Sequence, residues 1–327
     1  MRIFRLSNFL QARVNIFLCM VFGWNLAKFY VFLLGRIYFF IKSDEKQIIE
    51  KSVLEVMSMI RRDDDRDQIL KRVFKGILYH YYEKLYIAFE NKSKATGFLS
   101  SSVISNDLVL IKKALLNGRG VIFITGHYGA IEFIPTLLAV KNIDISMIAR
   151  FKTAQLRKKV FAQAEKYNIK MIDAEKSENV FRNAISELKE NRVLVTQCDE
   201  IDEWRPSDRK RTTFLGQITG LDRTINIMQK RSGAEVLFGV IHRYSLSRYE
   251  LIVYSHDDML KMISNSNSIT TGEAVLKVLE QFIYHYPEQW YQWKKYPKLC
   301  SSRLFRAAAT TKDVAGPILR PLLERHF

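Results

Sequence analysis

From Gly118 onward, short apolar runs alternate with amphipathic stretches of helical spacing. This β-α alternation predicts an α/β fold with a mostly parallel sheet flanked by helices. Because ligands of such sheets bind at the carboxyl ends of the strands, we expect the functional residues there. The predicted strands are 120–125, 143–149, 169–173, 192–197, 235–242 and 249–255. The predicted helices are 130–141, 153–167, 177–190, 221–232 and 271–284.

Differences in composition divide the chain into three segments. We predict a membrane-associating N-terminal segment (1–42), one folded domain (43–300) and a basic C-terminal tail (301–327). Apolar residues at helical spacing indicate that the domain begins with a helical part, 43–117, before the β/α part, 118–300. The acidic-basic run "RRDDDRD" predicts a helix start, because aspartate is favoured in the first turn.

The stretch from Val14 to Ile41 is rich in Phe, Leu, Ile and Tyr and is interrupted by Lys28 and Arg36. Its longest uncharged run, Val14 to Ala27, is shorter than the roughly 20 residues of a spanning helix. The pattern fits either a tilted spanning helix with cations at the headgroups or a helix lying in the membrane interface. A buried helix of a soluble protein is the remaining alternative, and we expect membrane association.

The chain carries 51 basic and 34 acidic residues, a formal net charge of +17. This excess favours an anionic partner: nucleic acid, an anionic membrane surface or a phosphorylated substrate. The three cysteines (Cys19, Cys198 and Cys300) are far apart and form neither a disulfide framework nor a metal-binding spacing. They fit a reducing compartment facing the cytosol, and we expect neither a metal nor a cofactor.

The segment "GHYGAIE" places His127 directly after a predicted strand, between Gly126 and Gly129, with Glu132 five positions on. Residues five apart point away from each other within one helix, so His127 is expected in the loop and Glu132 on the following helix. A neutral imidazole could then take a proton from a substrate hydroxyl, with the carboxylate fixing its tautomer. The two glycines would permit the turn and a close approach of substrate.

Several blocks resemble one protein family, in the same order along the chain. "GHYGAIE" is similar to the His-x4-acid motif of the lipid A biosynthesis (lauroyl/myristoyl) acyltransferases, within the lysophospholipid acyltransferase superfamily. "TTFLGQITG" (212–220) resembles the family's phenylalanine-glycine loop, and "KRSGAEVLFGVIHR" (230–243) the helix and strand after it. "YPEQWYQWKKYPK" (286–298) resembles its most specific block, Pro-Glu-Gln-Trp.

The resemblance implies O-acyl transfer from an acyl carrier protein or acyl-CoA thioester to a hydroxyl of a lipid A precursor or similar anionic glycolipid. It also implies contact with membrane lipids, at the cytoplasmic (inner) membrane with the active site facing the cytosol. It makes His127 the general base and Glu132 its partner. The residues expected to bind substrate are Gly129, Arg150, Asp199, Arg211, Phe214 and Gly216.

The chain departs from the family pattern at a few positions, and these put the acceptor in doubt more than the chemistry. The phenylalanine-glycine block reads Phe-Leu-Gly, and Lys294 and Lys295 follow the Pro-Glu-Gln-Trp block. The alternatives are acylation of a lysophospholipid or other polar lipid, a basic nucleic-acid-binding protein and a non-catalytic membrane scaffold. No nucleic-acid motif accompanies the charge, so no nucleic acid is expected.

Overall fold

The computed structural model describes residues 23–60, 65–149, 154–175, 177, 179–200, 206–263 and 269–300. Arg150, most of the predicted membrane-associating segment and the basic tail lie outside these residues. The helices are α1 (Trp24–Ile41), α2 (Ser43–Ser58), α3 (Arg66–Phe89), α4 (Lys92–Ser102), α5 (Leu108–Leu115), α6 (Ile134–Val140), α7 (Ala154–Lys166), α8 (Val180–Lys189), α9 (Thr224–Ser232), α10 (His256–Met262), α11 (Thr271–His285) and α12 (Tyr296–Cys300). Short 3-10 helices cover Ile131–Phe133, Pro287–Gln289 and Trp293–Lys295.

A seven-stranded sheet runs through the domain in the order β1-β9-β8-β2-β5-β3-β4. All neighbouring strands are parallel except β8 and β9, so the predicted α/β fold with a mostly parallel sheet is confirmed. The strands are β1 (Val103–Ile104), β2 (Val121–Thr125), β3 (Ile145–Ala149), β4 (Lys170–Asp173), β5 (Val193–Gln197), β8 (Glu235–Ser245) and β9 (Arg248–Tyr254). The first strand lies within the segment predicted to be helical.

Alternate residues of the central strand β2 face opposite sides of the sheet, and both sides are covered. Ile122 and Ile124 belong to one apolar cluster with α11 and side chains of residues 290–299. Val121 and Phe123 belong to a second cluster with α5 and α6. Burial on both faces explains why the central strands read as continuous apolar runs.

A separate antiparallel hairpin, β6 (Pro206–Phe214) and β7 (Gln217–Asp222), lies where the sequence predicts no strand. Its turn residues Leu215 and Gly216 have φ values of 50° and 75°, which is typical of a tight hairpin turn. Because β7 continues to Asp222, the following helix α9 begins at Thr224, later than the predicted 221.

Helix α3 begins directly after the acidic run, as its sequence predicts. The Asp65 carboxylate accepts hydrogen bonds from the backbone N–H groups of Asp67 (2.9 Å) and Gln68 (3.3 Å). This cap satisfies backbone donors that have no partner within the helix. The helix carries Glu83, Lys84 and His80 toward the strand ends.

Helix α1 packs against α3 through aromatic pairs and leaves an apolar stripe exposed. Phe32 meets Tyr79 at 5.1 Å between ring centroids, and Phe39 meets Phe74 at 4.9 Å. No helix within the described residues is both long and apolar enough to cross a membrane. The exposed apolar side chains of α1 are Leu26, Phe29, Leu33, Ile37, Phe40 and Ile41.

Candidate active site

The strand register brings His127 and Asp199 together from positions 72 residues apart in the chain. Thr125 of β2 pairs with Gln197 of β5, and the N–H of Cys198 donates to the carbonyl of Thr125 at 2.9 Å. His127 and Asp199 therefore each lie two residues beyond a paired position. Both are at the carboxyl edge of the sheet, where ligands of such folds bind.

Carboxylates contact both ring nitrogens of His127. Nδ1 lies 2.8 Å from Asp199 Oδ1, and Nε2 lies 2.9 Å from Glu200 Oε1. The backbone N–H of His127 donates to the two carboxylate oxygens of Asp199, at 3.0 Å each. Asp199 is completely buried, whereas the Glu200 side chain is 36% exposed. The imidazole thus has one fixed and one partly solvated partner.

This arrangement changes the acid-base properties of the site. Burial acts to lower the pKa of His127, but Asp199 and Glu200 outweigh it and raise the pKa to about 9. Burial acts to raise the pKa of Glu200, but the contacts with His127 and Lys295 lower it to about 2. Since the folded pKa of His127 exceeds its ordinary 6.5, the ion pair stabilises the fold fully below pH 6.5 and less as pH rises through 9.

The Pro-Glu-Gln-Trp block supports this pair from the opposite side. Trp290 Nε1 donates to Asp199 Oδ2 at 2.8 Å, and the N–H of Tyr291 donates to the carbonyl of His127 at 3.3 Å. The Tyr291 ring meets His127 edge-on, at 5.3 Å between centroids, and stacks on His80 at 3.4 Å. Trp290 and Tyr291 therefore hold the pair through hydrogen bonds and a ring contact.

Glu132 lies elsewhere than the sequence predicts. Its Oε1 is 2.8 Å from Lys84 Nζ and 4.0 Å from His80 Nε2, and no ion pair or hydrogen bond of the described residues joins it to His127. The physical reason is that the chain turns at Gly129 and forms a 3-10 helix over Ile131–Phe133. The structure therefore lacks the predicted contact between the two members of the His-x4-Glu motif.

The remaining predicted substrate-binding residues fall into two groups. Phe214 is buried and meets Trp290 edge-on at 6.1 Å between ring centroids, which links the hairpin to the strand-end pair. Arg211 is exposed on β6, and Gly216 lies in the hairpin turn, where an added Cβ would lie 2.3 Å from the sulfur of Met59. Their contacts with substrate, and that of Arg150, stay predictions.

Gly129 is required by the backbone itself. Its φ is +57°, and an added Cβ would lie 2.0 Å from the carbonyl oxygen of Ile241. The N–H of Gly129 donates to the carbonyl of Gln289 at 2.8 Å, and its carbonyl accepts from Arg243 Nη2 at 3.1 Å. The loop that carries His127 is thus held by the backbone carbonyl of Gln289 and by the side chain of Arg243.

We expect Gly129→Ala to lower the free energy of unfolding by about 2–4 kcal/mol, because it combines a left-handed φ with a backbone clash. Urea denaturation measures the change. Gly97→Ala is the matched control: Gly97 is exposed on α4 and a Cβ there would meet nothing within 4 Å. In the control, alanine should raise stability by up to about 1 kcal/mol. Equal stability of Gly129→Ala and wild type would contradict the strain at Gly129.

A cysteine nucleophile and a metal centre are two other kinds of site, and the described residues support neither. Burial raises the pKa of the Cys198 thiol well above its usual range, so this cysteine is held as a thiol and not as a nucleophilic thiolate. Within the part of the chain that the structure describes, no group of three or more His, Cys, Asp or Glu side chains could hold a metal ion.

Glu200 and Tyr291 are candidate site residues that sequence reasoning did not select. Glu200 directly follows Asp199, and Tyr291 directly follows Trp290, so each lies next to a residue that was singled out. The sequence does contain one signal for Glu200, which is its position. Two acids come directly after the strand that neighbours the His127 strand in the sheet, and parallel strands end at the same edge.

Comparison with known protein families identifies the family of the chain. The family model for the bacterial lipid A biosynthesis acyltransferases matches residues 8–295, which is most of the chain. No curated protein matches the chain significantly. The match covers the helical part, the sheet and the Pro-Glu-Gln-Trp block, and within the described domain it ends just before α12. The chain therefore belongs to the bacterial lipid A biosynthesis acyltransferase family and is an acyltransferase.

Proposed function

We propose that this enzyme moves a fatty acyl chain from an acyl carrier protein or CoA thioester to a hydroxyl of a lipid A precursor or similar glycolipid. His127 acts as general base, and Asp199 holds its other nitrogen. The observation that supports this most directly is the 2.8 Å contact between His127 Nδ1 and the fully buried Asp199 carboxylate. Such a pair fixes the tautomer and stabilises the imidazolium that forms.

The transfer needs one group that takes up a proton and returns it, and His127 is that group. As the acceptor oxygen attacks the thioester carbonyl carbon, its proton moves to Nε2 of His127. The tetrahedral intermediate then collapses with cleavage of the C–S bond, and the leaving thiolate takes the proton from His127. No covalent acyl-enzyme is needed, because the substrate hydroxyl takes the place that serine has in a protease triad.

Nε2 must be released before it can accept that proton. It is held by Glu200 Oε1, whereas Glu200 Oε2 lies 3.5 Å from Lys295 Nζ. The acceptor hydroxyl replaces Glu200 at Nε2, and the carboxylate stays with Lys295. Loss of the Glu200 contact lowers the pKa of His127, so binding of the acceptor itself produces a more effective base near neutral pH.

The direct test of transfer uses purified protein, acyl carrier protein or CoA thioesters of defined chain length, and a lipid A precursor. Mass spectrometry should detect one added acyl chain on the lipid, released by ester hydrolysis. A matched reaction with a lysophospholipid distinguishes the alternative acceptor. Transfer to the lysophospholipid alone would contradict the glycolipid acceptor, and lipid analysis after gene deletion would identify the lipid that loses a chain.

The pH dependence tests the role of Glu200. His127 must be neutral to act as base, so wild-type kcat/KM should rise with pH up to about 9, its pKa in the free enzyme. Glu200→Gln removes a carboxylate that raises this pKa, so the rising limb should move to lower pH. The exposed Glu165→Gln is the control and should leave the limb in place. An unchanged limb in Glu200→Gln would contradict the contact of Glu200 with His127 in the free enzyme, from which the release step begins.

Membrane localisation is part of the same proposal. Helix α1 exposes apolar side chains at Leu26, Phe29, Leu33, Ile37 and Phe40, which recur at helical spacing on one face. The net charge of +17 favours an anionic bilayer surface. We therefore propose that the enzyme lies at the cytosolic face of the inner membrane, with this stripe in the interface.

We expect the pair Phe29→Ser/Phe40→Ser to weaken binding to phosphatidylglycerol-containing vesicles by at least about tenfold, because it removes two buried aromatic side chains from the lipid. Vesicle flotation measures the bound fraction. The control pair Val109→Ser/Leu116→Ser changes side chains that are 64% and 86% exposed away from α1. Equal losses in both pairs would show that α1 is not the binding face.

A further inference from the structure

A buried ion pair lies behind the His127 loop, between helix α3 and strand β8. Arg243 donates from Nε to Glu83 Oε1 at 2.5 Å and from Nη2 to Glu83 Oε2 at 2.7 Å. The side chains are 4% and 0% exposed. Desolvation offsets most of the attraction in such pairs, and apolar replacements are often as stable. Stability alone is therefore a weak reason for a charged pair at this position.

The arginine also contacts the catalytic loop directly. Its Nη2 donates to the carbonyl of Gly129 at 3.1 Å, two residues beyond His127. Its backbone N–H donates to Gln289 Oε1 at 2.9 Å, and Gln289 Nε2 donates back to the carbonyl of Arg243 at 3.2 Å. The carbonyl of Gln289 in turn accepts from Gly129 N–H at 2.8 Å. Arg243 thus joins the loop of His127 to the Pro-Glu-Gln-Trp block.

Geometry explains why an arginine is suited to this place. A planar guanidinium can satisfy both oxygens of one carboxylate and still direct a further N–H at a carbonyl. The Glu83 carboxylate fixes the plane of the guanidinium, and that plane fixes the direction of the bond to Gly129. A lysine ammonium has no such fixed fork and would hold the same charge without the same alignment.

We propose that Glu83 and Arg243 are positioning residues, which hold the Gly129 carbonyl and thereby the orientation of His127 toward its acceptor. This inference rests on the proposed role of His127 as general base. Both side chains are buried behind the loop, so neither is exposed to a substrate. Their effect acts through the loop, so it appears in kcat and in loop exchange, whereas KM and the His127 titration depend on groups that stay in place.

The decisive variant is Glu83→Leu/Arg243→Met, which removes both charges and the Gly129 bond but keeps apolar volume in the core. We expect kcat to fall by about 10–100-fold, since small misplacements of a catalytic group cost this much, with KM unchanged. The rising limb of kcat/KM against pH should not move, because Asp199 and Glu200, which set the pKa of His127, are intact. Thermal unfolding checks that the variant is folded. A folded variant with wild-type kcat would overturn the inference.

Amide hydrogen exchange gives a readout that does not depend on activity. Residues 126–130 should exchange at least about tenfold faster in the double variant than in wild type, with strand β5 unchanged. If the double variant fails to fold, Arg243→Lys should give the same exchange and the same loss of kcat. Arg157→Met/Asp173→Leu removes another ion pair, on α7 and β4, and serves as the control.

Wild-type activity tests the proposed function, and the variants test the positioning role of Glu83 and Arg243. Faster loop exchange without any acyl transfer by wild type would contradict the proposed function and support only the holding of the Gly129 loop by Arg243. Active wild type with unchanged exchange and kcat in the variants would contradict the positioning role alone.

Discussion

His127→Asn should lower kcat for acyl transfer by about 10²–10⁴-fold, the contribution expected from a general base, with little change in KM. The side-chain N–H of asparagine can still donate a hydrogen bond to Asp199 near the Nδ1 position, but the amide cannot take up a proton. Initial rates with a labelled thioester donor and the lipid acceptor measure both constants. The variant should fold, because its backbone contact with Asp199 does not involve the side chain.

His285→Asn is the matched control, since His285 lies at the end of α11 and bonds its own helix at the carbonyl of Gln281, 2.8 Å away. It should keep wild-type kcat. A folded His127→Asn variant with kcat close to wild type would exclude His127 as the base. Transfer would then have to rely on positioning of the two substrates, and Asp199 would be left without a catalytic partner.

Much of the sheet is predictable because its strands obey a simple pattern. Strands with both faces buried read as apolar runs, and β2, β3 and β4 are each followed by a helix that returns the chain. The hairpin of β6 and β7 breaks this rule. It lies outside the main sheet, and its first strand reads "PSDRKRTTF", which has no apolar alternation to distinguish it from a charged loop.

The sequence predicts where the site lies, but not which carboxylate pairs with His127. Spacing along the chain associates His127 with Glu132, whereas the register of β2 and β5 associates it with Asp199. The order of strands in a parallel sheet is a tertiary property, and a single sequence does not contain it in readable form. The Glu132 carboxylate instead accepts a hydrogen bond from Lys84, which lies on α3, much earlier in the chain.

The second large effect concerns which carboxylate serves His127. We expect Asp199→Asn to lower kcat by up to about 10⁴-fold, because an amide in place of the carboxylate favours the wrong imidazole tautomer and no longer stabilises the imidazolium. It should also lower the pKa of His127, which NMR titration of the ring measures. In Glu132→Gln the pKa of His127 should stay close to its wild-type value. The variant's kcat should fall clearly less than that of Asp199→Asn.

Combining variants distinguishes direct partners from neighbours. If His127 and Asp199 act as one unit, His127→Asn/Asp199→Asn should lose little more activity than His127→Asn alone, since residues of a catalytic unit are strongly non-additive. Glu132→Gln should instead add its own smaller effect to His127→Asn, because Glu132 acts through Lys84. The reverse pattern, with Glu132 non-additive and Asp199 additive, would mean that the motif acid replaces Asp199 at His127 during turnover.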